Sequence, residues 1–191
     1  DHRDLHSFPT RRSSDLLYLV RHTRVNMPPG ICYGNSDVAL AYTFPEELSA
    51  IQSELEGIRL ARVYSSPLKR CVTLAREFSG NVIVDGRIRE FDFGKWERQP
   101  WDDIYAQDKG KEWFDDYVNT SCPHGESFRM MLERVRRFID SLPKTGGNIL
   151  IVTHAGIIRA FLILLEGYTV NEAFDRKIAY GEIIILEKQK K

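Results

Sequence analysis

The sequence has no apolar run long enough to cross a membrane as a helix. Its longest uninterrupted stretches, such as Ala160–Leu165 and Ile183–Leu186, fall far short of the roughly 20 residues a span needs. Net charge is absent too: Lys plus Arg is 27 and Asp plus Glu is 27. No global field therefore draws the chain onto nucleic acid or an anionic membrane, and an anion must be held by local charges. Cysteine is scarce. Cys32, Cys71 and Cys122 are odd in number and widely spaced, which argues against a disulfide framework or a CxxC site and fits a reducing cytoplasm. There is no GxxxxGK[ST], GxGxxG, HExxH, GxSxG or DxD, so the nucleotide-loop, zincin, serine-hydrolase and acidic-phosphatase readings fail. A thiolate phosphatase would need an arginine six residues after its cysteine, but Val38, Glu77 and Phe128 stand there.

What is there is one domain's worth of chain. The 191 residues are 42% hydrophobic and 28% charged, a profile that supports a single substantial core. Residues 1–16, DHRDLHSFPTRRSSDL, are polar, without apolar period, and lack the apolar centre of a signal peptide. Back-translated in one frame they resemble a short-read sequencing adapter. The expectation is a non-native, disordered tail at 1–16, with the authentic start lost before Leu17, and one domain over 17–191. His2 and His6 then have no functional claim.

From Leu17 onward short apolar strands alternate with helical periods. Leu17–Val20, Arg62–Ser65, Val82–Val84, Ile149–Val152 and Glu182–Leu186 read as strands, the last at an edge. Ser66 and Pro67 should open a helix with Leu68, Cys71, Val72, Ala75 and Phe78 on its apolar face. Phe128, Met131, Leu132, Val135, Phe138 and Ile139 recur at helical spacing, and a further helix runs from His154 to about Leu165. Between them, Gly86–Gly125 is irregular and rich in aromatics and acids, and reads as an excursion over the sheet. Alternation of this kind predicts an α/β fold with parallel pairing, whose ligands bind beyond the carboxyl ends of the strands. His22 and His154 both fall there.

Leu19-Val20-Arg21-His22-Thr23 closes the first strand. Taken with Ser65-Ser66-Pro67-Leu68-Lys69-Arg70, Glu90-Phe91-Asp92-Phe93-Gly94 and Val152-Thr153-His154-Ala155-Gly156, it resembles the histidine phosphatase superfamily, also called phosphoglycerate mutase-like. The resemblance covers essentially all of 17–191. It implies a three-layer α/β/α fold with a mainly parallel sheet and a small helical lid at about 95–125. It also implies a metal-independent phosphomonoester hydrolase without a cofactor.

The chemistry agrees with those roles. A phosphomonoester carries two negative charges and a poor leaving group, so it demands a nucleophile, a cationic cradle and a proton donor. By resemblance His22 attacks phosphorus through Nε2, and Arg21 and Arg70 hold the nonbridging oxygens with guanidinium forks. His154, protonated beside the phosphate, and the Ala155 amide complete the cradle. Glu90 protonates the leaving oxygen and then deprotonates water, although Asp92 shares its loop. Two departures stand out. Thr23 follows the nucleophile where the family often has Gly, and Pro28 stands where it often has Asn; Asn26 or Asn35 could reach inward instead, or simply form turns.

Segments Cys32–Val38, Phe93–Glu97 and Gly125–Ser127 look most like the alpha-ribazole phosphatase branch, which implies alpha-ribazole 5′-phosphate as substrate. Tyr33, Asn35, Ser36, Trp96 and Asn26 are then candidate substrate contacts. Trp96, Trp101, Tyr33 and Tyr105 could stack on a benzimidazole or fill the lid's core. The alternative is a broad-specificity phosphatase of small phosphate esters. Mutases of the superfamily carry a larger insertion than this lid, and an inactive binding domain would not keep Arg21, His22, Arg70, Glu90 and His154 together. The expected partner is a small phosphate ester, and a homodimer is left open.

Overall fold

The computed structural model describes residues 15–144 and 146–188. Five strands form one sheet: β1 (Leu16–Arg21), β2 (Leu60–Ser65), β3 (Val82–Val84), β4 (Asn148–Thr153) and β5 (Ile183–Glu187). Their spatial order is β3-β2-β4-β1-β5. The pairs β1–β4, β2–β4 and β2–β3 are parallel, and only the edge strand β5 runs antiparallel. Seven α-helices accompany the sheet: α1 (Phe44–Glu54), α2 (Lys69–Arg76), α3 (Trp101–Ala106), α4 (Asp108–Asp115), α5 (Phe128–Ser141), α6 (Ala155–Glu166) and α7 (Val170–Asp175).

The period-2 alternation of the central strands divides the core into two layers. Tyr18, Val20, Leu150 and Val152 face Ile51 and Leu55 of α1 and Cys71, Leu74 and Ala75 of α2. Leu17, Leu19, Ile149 and Ile151 face Met131, Val135 and Phe138 of α5 and Ile157, Ile158 and Phe161 of α6. β1 and β4 are buried on both faces because they sit inside the sheet, which is why each reads as a continuous apolar run. This is the three-layer α/β/α arrangement expected from the sequence, with short 3-10 turns, α3 and α4 making the lid.

Several boundaries differ from expectation. Leu16 belongs to β1, pairing with Glu187, and Asp15 Oδ1 accepts from Gly147 N at 2.7 Å. Asp15 and Leu16 are thus part of the described fold, while the rest of the tail expected over 1–16 lies outside the described residues. α2 starts at Lys69 rather than at the Ser66-Pro67 pair. The Ser66 hydroxyl does not cap α2: it meets His154 Nε2 at 2.7 Å and accepts from the Leu68 amide, ahead of the helix, at 3.4 Å. α1 and α7 were not among the expected helices, although Pro45 in the first turn of α1 and the Thr169–Glu172 capping box of α7 are usable start signals; α1 buries one apolar side chain fully, Ile51. All three cysteines are free and buried. No helix among the described residues is long and apolar enough to cross a membrane.

Candidate active site

The site stands where two parallel neighbours end together. Arg21 of β1 pairs with Thr153 of β4, so the residues that follow, His22 and His154, leave the sheet side by side with ring centroids 5.1 Å apart. Both are buried. The His22 amide donates to Thr153 O at 2.9 Å and Ser66 N, after β2, donates to Val152 O at 3.0 Å. Three strand ends are thereby fixed at one level.

His22 has one tautomer that satisfies its surroundings. Its Nδ1 lies 2.8 Å from Thr23 O, a carbonyl that can only accept, so Nδ1 carries the proton. Nε2 keeps its lone pair and accepts from Arg70 Nε at 3.3 Å. Burial, followed by the Arg70 charge, lowers the ring's pKa to about 3, with Arg21 contributing in the same sense and the Thr23 carbonyl opposing them. The imidazole is therefore neutral near neutral pH.

Arg70, at the start of α2, is 1% exposed. Its Nη1 donates to Ser36 O at 2.7 Å and its Nη2 to Gly34 O at 2.6 Å. Loop 34–36 is held in turn by the Glu97 carboxylate, which accepts from the amides of Gly34, Asn35 and Ser36 and from Ser36 Oγ. Gly34 is required because a Cβ there would run into the Phe91 carbonyl. Arg21 donates from Nη1 to Ile178 O at 2.6 Å, and its buried Nε has no partner among the described residues. Thr23 Oγ1, next to His22 in the chain, is likewise buried without a partner among the described residues.

His154 is oriented by its neighbours as well. Nδ1 faces the donor Arg70 Nη2 at 3.3 Å and Nε2 meets Ser66 Oγ at 2.7 Å, so Nε2 carries the proton. Burial first, then His22 and Arg70, hold its pKa well below the ordinary value. Among the protein's own groups the ring is therefore neutral, and the protonated form expected beside a phosphate is a state for the bound anion. It requires the negative charge of a phosphate nearby, which would turn Nδ1 from acceptor into donor.

Glu90 sits against the N-terminus of α6, where Oε2 accepts from Gly156 N at 3.2 Å and Oε1 from Phe91 N at 3.0 Å. A Cβ on Gly156 would collide with that carboxylate, which explains the glycine two residues after His154. The Ala155 amide precedes it as the first of the helix's free donors, a placement suited to an anion. Behind the Glu90 loop lies a buried ion pair, Arg134–Glu126 at 2.6 Å. Arg134 donates to the carbonyls of Arg87, Arg89 and Glu90, and Glu126 accepts from Asp92 N. The loop carrying the carboxylate is pinned from both sides.

A cavity of about 610 Å³ opens over this floor. Arg21, His22, Arg70, Glu90, Ala155 and Gly156 line its base, and aromatic side chains including Tyr33, Phe91, Trp101, Trp113, Tyr117 and Phe174 line its walls. Of the residues expected to contact substrate, Tyr33 and Trp101 line the cavity and the rest are elsewhere. Trp96 is 1% exposed and donates to Gln107 inside the lid, because its ring fills the lid's core. Asn26 is exposed and pairs through its backbone with Ala39, away from the cavity. Asn35 and Ser36 turn their amides to Glu97 and serve Arg70 rather than the cavity. Tyr105 is 59% exposed on the lid's outer face.

Sequence reasoning did not find Arg159, Tyr180, Glu97 or Arg134. Arg159 follows Ala155 by one helical turn, so it shares the face that looks into the cavity; that spacing was a usable signal. Tyr180 has none, since its place depends on how β5 returns to β1.

The family model of the histidine phosphatase superfamily (branch 1) matches residues 17–191. Phosphoserine phosphatase 1 of Hydrogenobacter thermophilus is 28% identical over 166 residues, 82% of this chain and 78% of that one. The solved structure of the alpha-ribazole phosphatase of Shigella flexneri superimposes with a TM-score of 0.82 at 24% identity, covering 89% of each chain.

Proposed function

Because the chain belongs to the histidine phosphatase superfamily (branch 1), we propose that it hydrolyses phosphate monoesters through a phosphohistidine at His22, and that alpha-ribazole 5′-phosphate is its substrate. The observation that carries the first half is the neutral His22, with its Nε2 lone pair turned to Arg70 at the floor of the cavity. In the first step the Nε2 pair forms a bond to phosphorus while the ester P–O bond breaks. Glu90, in its acid form, gives its proton to the departing alkoxide. In the second, the Glu90 carboxylate takes a proton from water as the water oxygen bonds to phosphorus and the N–P bond breaks, releasing orthophosphate. Arg21, Arg70 and the Ala155 amide hold the nonbridging oxygens throughout, and His154, protonated under the dianion's influence, supplies a further charge.

The walls support the choice of substrate. An apolar, ring-lined cavity of about 610 Å³ is of the size that encloses a drug-sized ligand, and a flat benzimidazole gains from aromatic contact. A small zwitterion such as phosphoserine would leave most of those rings unused. The competing reading is a broad-specificity phosphatase, favoured by the scarcity of directional polar groups on the same walls. A panel of alpha-ribazole 5′-phosphate, phosphoserine, 3-phosphoglycerate, sugar phosphates and p-nitrophenyl phosphate, compared by kcat/KM, separates them. Preference for the ribazole ester by about 100-fold or more supports the dedicated role; a flat profile rejects it.

A further inference from the structure

Beside Arg21 and Arg70, a pair of phenols from distant parts of the chain meets. Tyr180 belongs to the segment that returns from α7 to β5, and its neighbour Gly181 donates its amide to Arg21 O at 3.1 Å. With φ +73° Gly181 adopts a left-handed conformation that glycine allows. The main chain of the first strand's end thus fixes where Tyr180 stands. Its ring lies under the Arg21 guanidinium, 3.8 Å from centroid to carbon, and 5.7 Å from the His22 ring. Tyr33, from the loop before Gly34, has its ring 5.6 Å from the Arg70 guanidinium. The two hydroxyl oxygens are 2.8 Å apart.

The hydrogen count of this pair is informative. Two hydroxyls carry two protons, and their mutual bond uses one. Neither oxygen has another partner among the described residues, so one O–H remains to donate. Burial and the Tyr180 hydroxyl both push the Tyr33 phenol upward, so this hydroxyl stays protonated, as an anion ligand must. Each phenol is attached to one of the two arginines, and each arginine belongs to the floor around His22. The buried, unpartnered Arg21 Nε lies in the same side chain that stacks on Tyr180.

We propose that the Tyr33–Tyr180 hydroxyl pair is a phosphate ligand, donating a hydrogen bond to a nonbridging oxygen of the phosphoryl group bound at His22. This assignment rests on the phosphoryl-transfer reading. The pair is supplied by the aromatic wall and by the C-terminal return, so it ties substrate binding to the closing of the sheet's edge.

The test uses the full chain and its Tyr180→Phe, Tyr180→Leu and Tyr33→Phe variants. The readouts are acid-quenched phosphoenzyme, kcat/KM for p-nitrophenyl phosphate, and inhibition by inorganic phosphate. Tyr180→Phe keeps the ring under Arg21 and removes only the hydroxyl. It should weaken phosphate inhibition and lower kcat/KM by about tenfold or more, the loss expected for a hydrogen bond to a charged group. Tyr33→Phe should do the same by removing the other half, and so provides the answer if Tyr180→Phe fails to fold. If both Phe variants match the unaltered protein while Tyr180→Leu is impaired, the ring merely packs on Arg21 and the proposal is overturned with phosphoryl transfer intact. Absence of phosphoenzyme in the unaltered protein overturns the underlying reading itself, and the proposal with it.

Discussion

The floor and the walls of the cavity are built by different forces. The floor is made of directional contacts: Arg70 serves Gly34 O, Ser36 O and His22 Nε2 at once, and Arg134 serves three carbonyls and Glu126. The walls are edge-to-face rings, with Trp113 close to Phe91, Phe93, Trp96, Phe114 and Tyr117. A hydrogen-bonded floor fails abruptly when one partner goes, since each remaining buried group is left unpaired. A wall of rings yields gradually, because dispersion and burial scale with the area that remains. The proposed function therefore places chemistry in the brittle region and substrate preference in the graded one.

The largest effect should come from His22→Ala, which removes the bond-forming atom. Turnover should fall by about four orders of magnitude or more, while phosphate esters still bind to Arg21 and Arg70. Retained turnover in a rapid-quench assay would remove His22 from the mechanism.

Gly156→Ala tests the floor one step away from the nucleophile. Its Cβ collides with the Glu90 carboxylate, so hydrolysis of alkyl esters, whose leaving oxygen needs a proton, should drop by about 100-fold. p-Nitrophenyl phosphate, with its good leaving group, should suffer much less. Equal losses on both esters would mean that the collision damages binding rather than proton transfer.

Acid should also act on the floor. His22 has its pKa lowered to about 3 in the fold against roughly 6.5 in the unfolded chain. The unfolded state therefore binds the extra proton between those values, and stability present above about pH 6.5 is lost as pH falls toward 3. Between pH 7 and 4.5 that loss is roughly 2 to 3 kcal/mol for His22 alone, and His154 acts in the same direction. Urea unfolding at the two pH values should show a flatter dependence in His22→Ala. A dependence as steep as that of the unaltered protein would mean that other groups govern acid lability.

The smallest effect belongs to the walls. Trp113→Leu should raise KM about fivefold for an aromatic ester, in line with the worth of an aromatic contact, and leave phosphoserine and every kcat nearly unchanged. A uniform change across both esters would blur the distinction between floor and wall.

Much of the floor was legible in sequence because it hangs on short-range rules. A buried strand that ends in a polar residue places that residue beyond the sheet, so His22 and His154 could be paired before any coordinates, and the register Arg21↔Thr153 brings them level. Arg70 and Glu90 were legible through their motifs. Trp96 and Asn35 were not placed correctly, because an aromatic or a turn residue in an irregular segment carries no period to say which way it faces. Trp96 turned inward to Gln107, and the backbone of Asn35 was taken by Glu97.

By itself the sequence determined the parallel α/β frame, the strand ends that carry the histidines, and the absence of a global field, which left the phosphate to local arginines. These follow from alternation, spacing and charge, all of which act along the chain. Only the tertiary structure decided the proton positions on His22 and His154, the entry of Arg159 into the wall, and the meeting of Tyr33 with Tyr180, 147 residues apart. Each depends on which carbonyl, cation or hydroxyl arrives from a remote segment. For the phenols, the return of the chain into β5 brings Tyr180 to Tyr33.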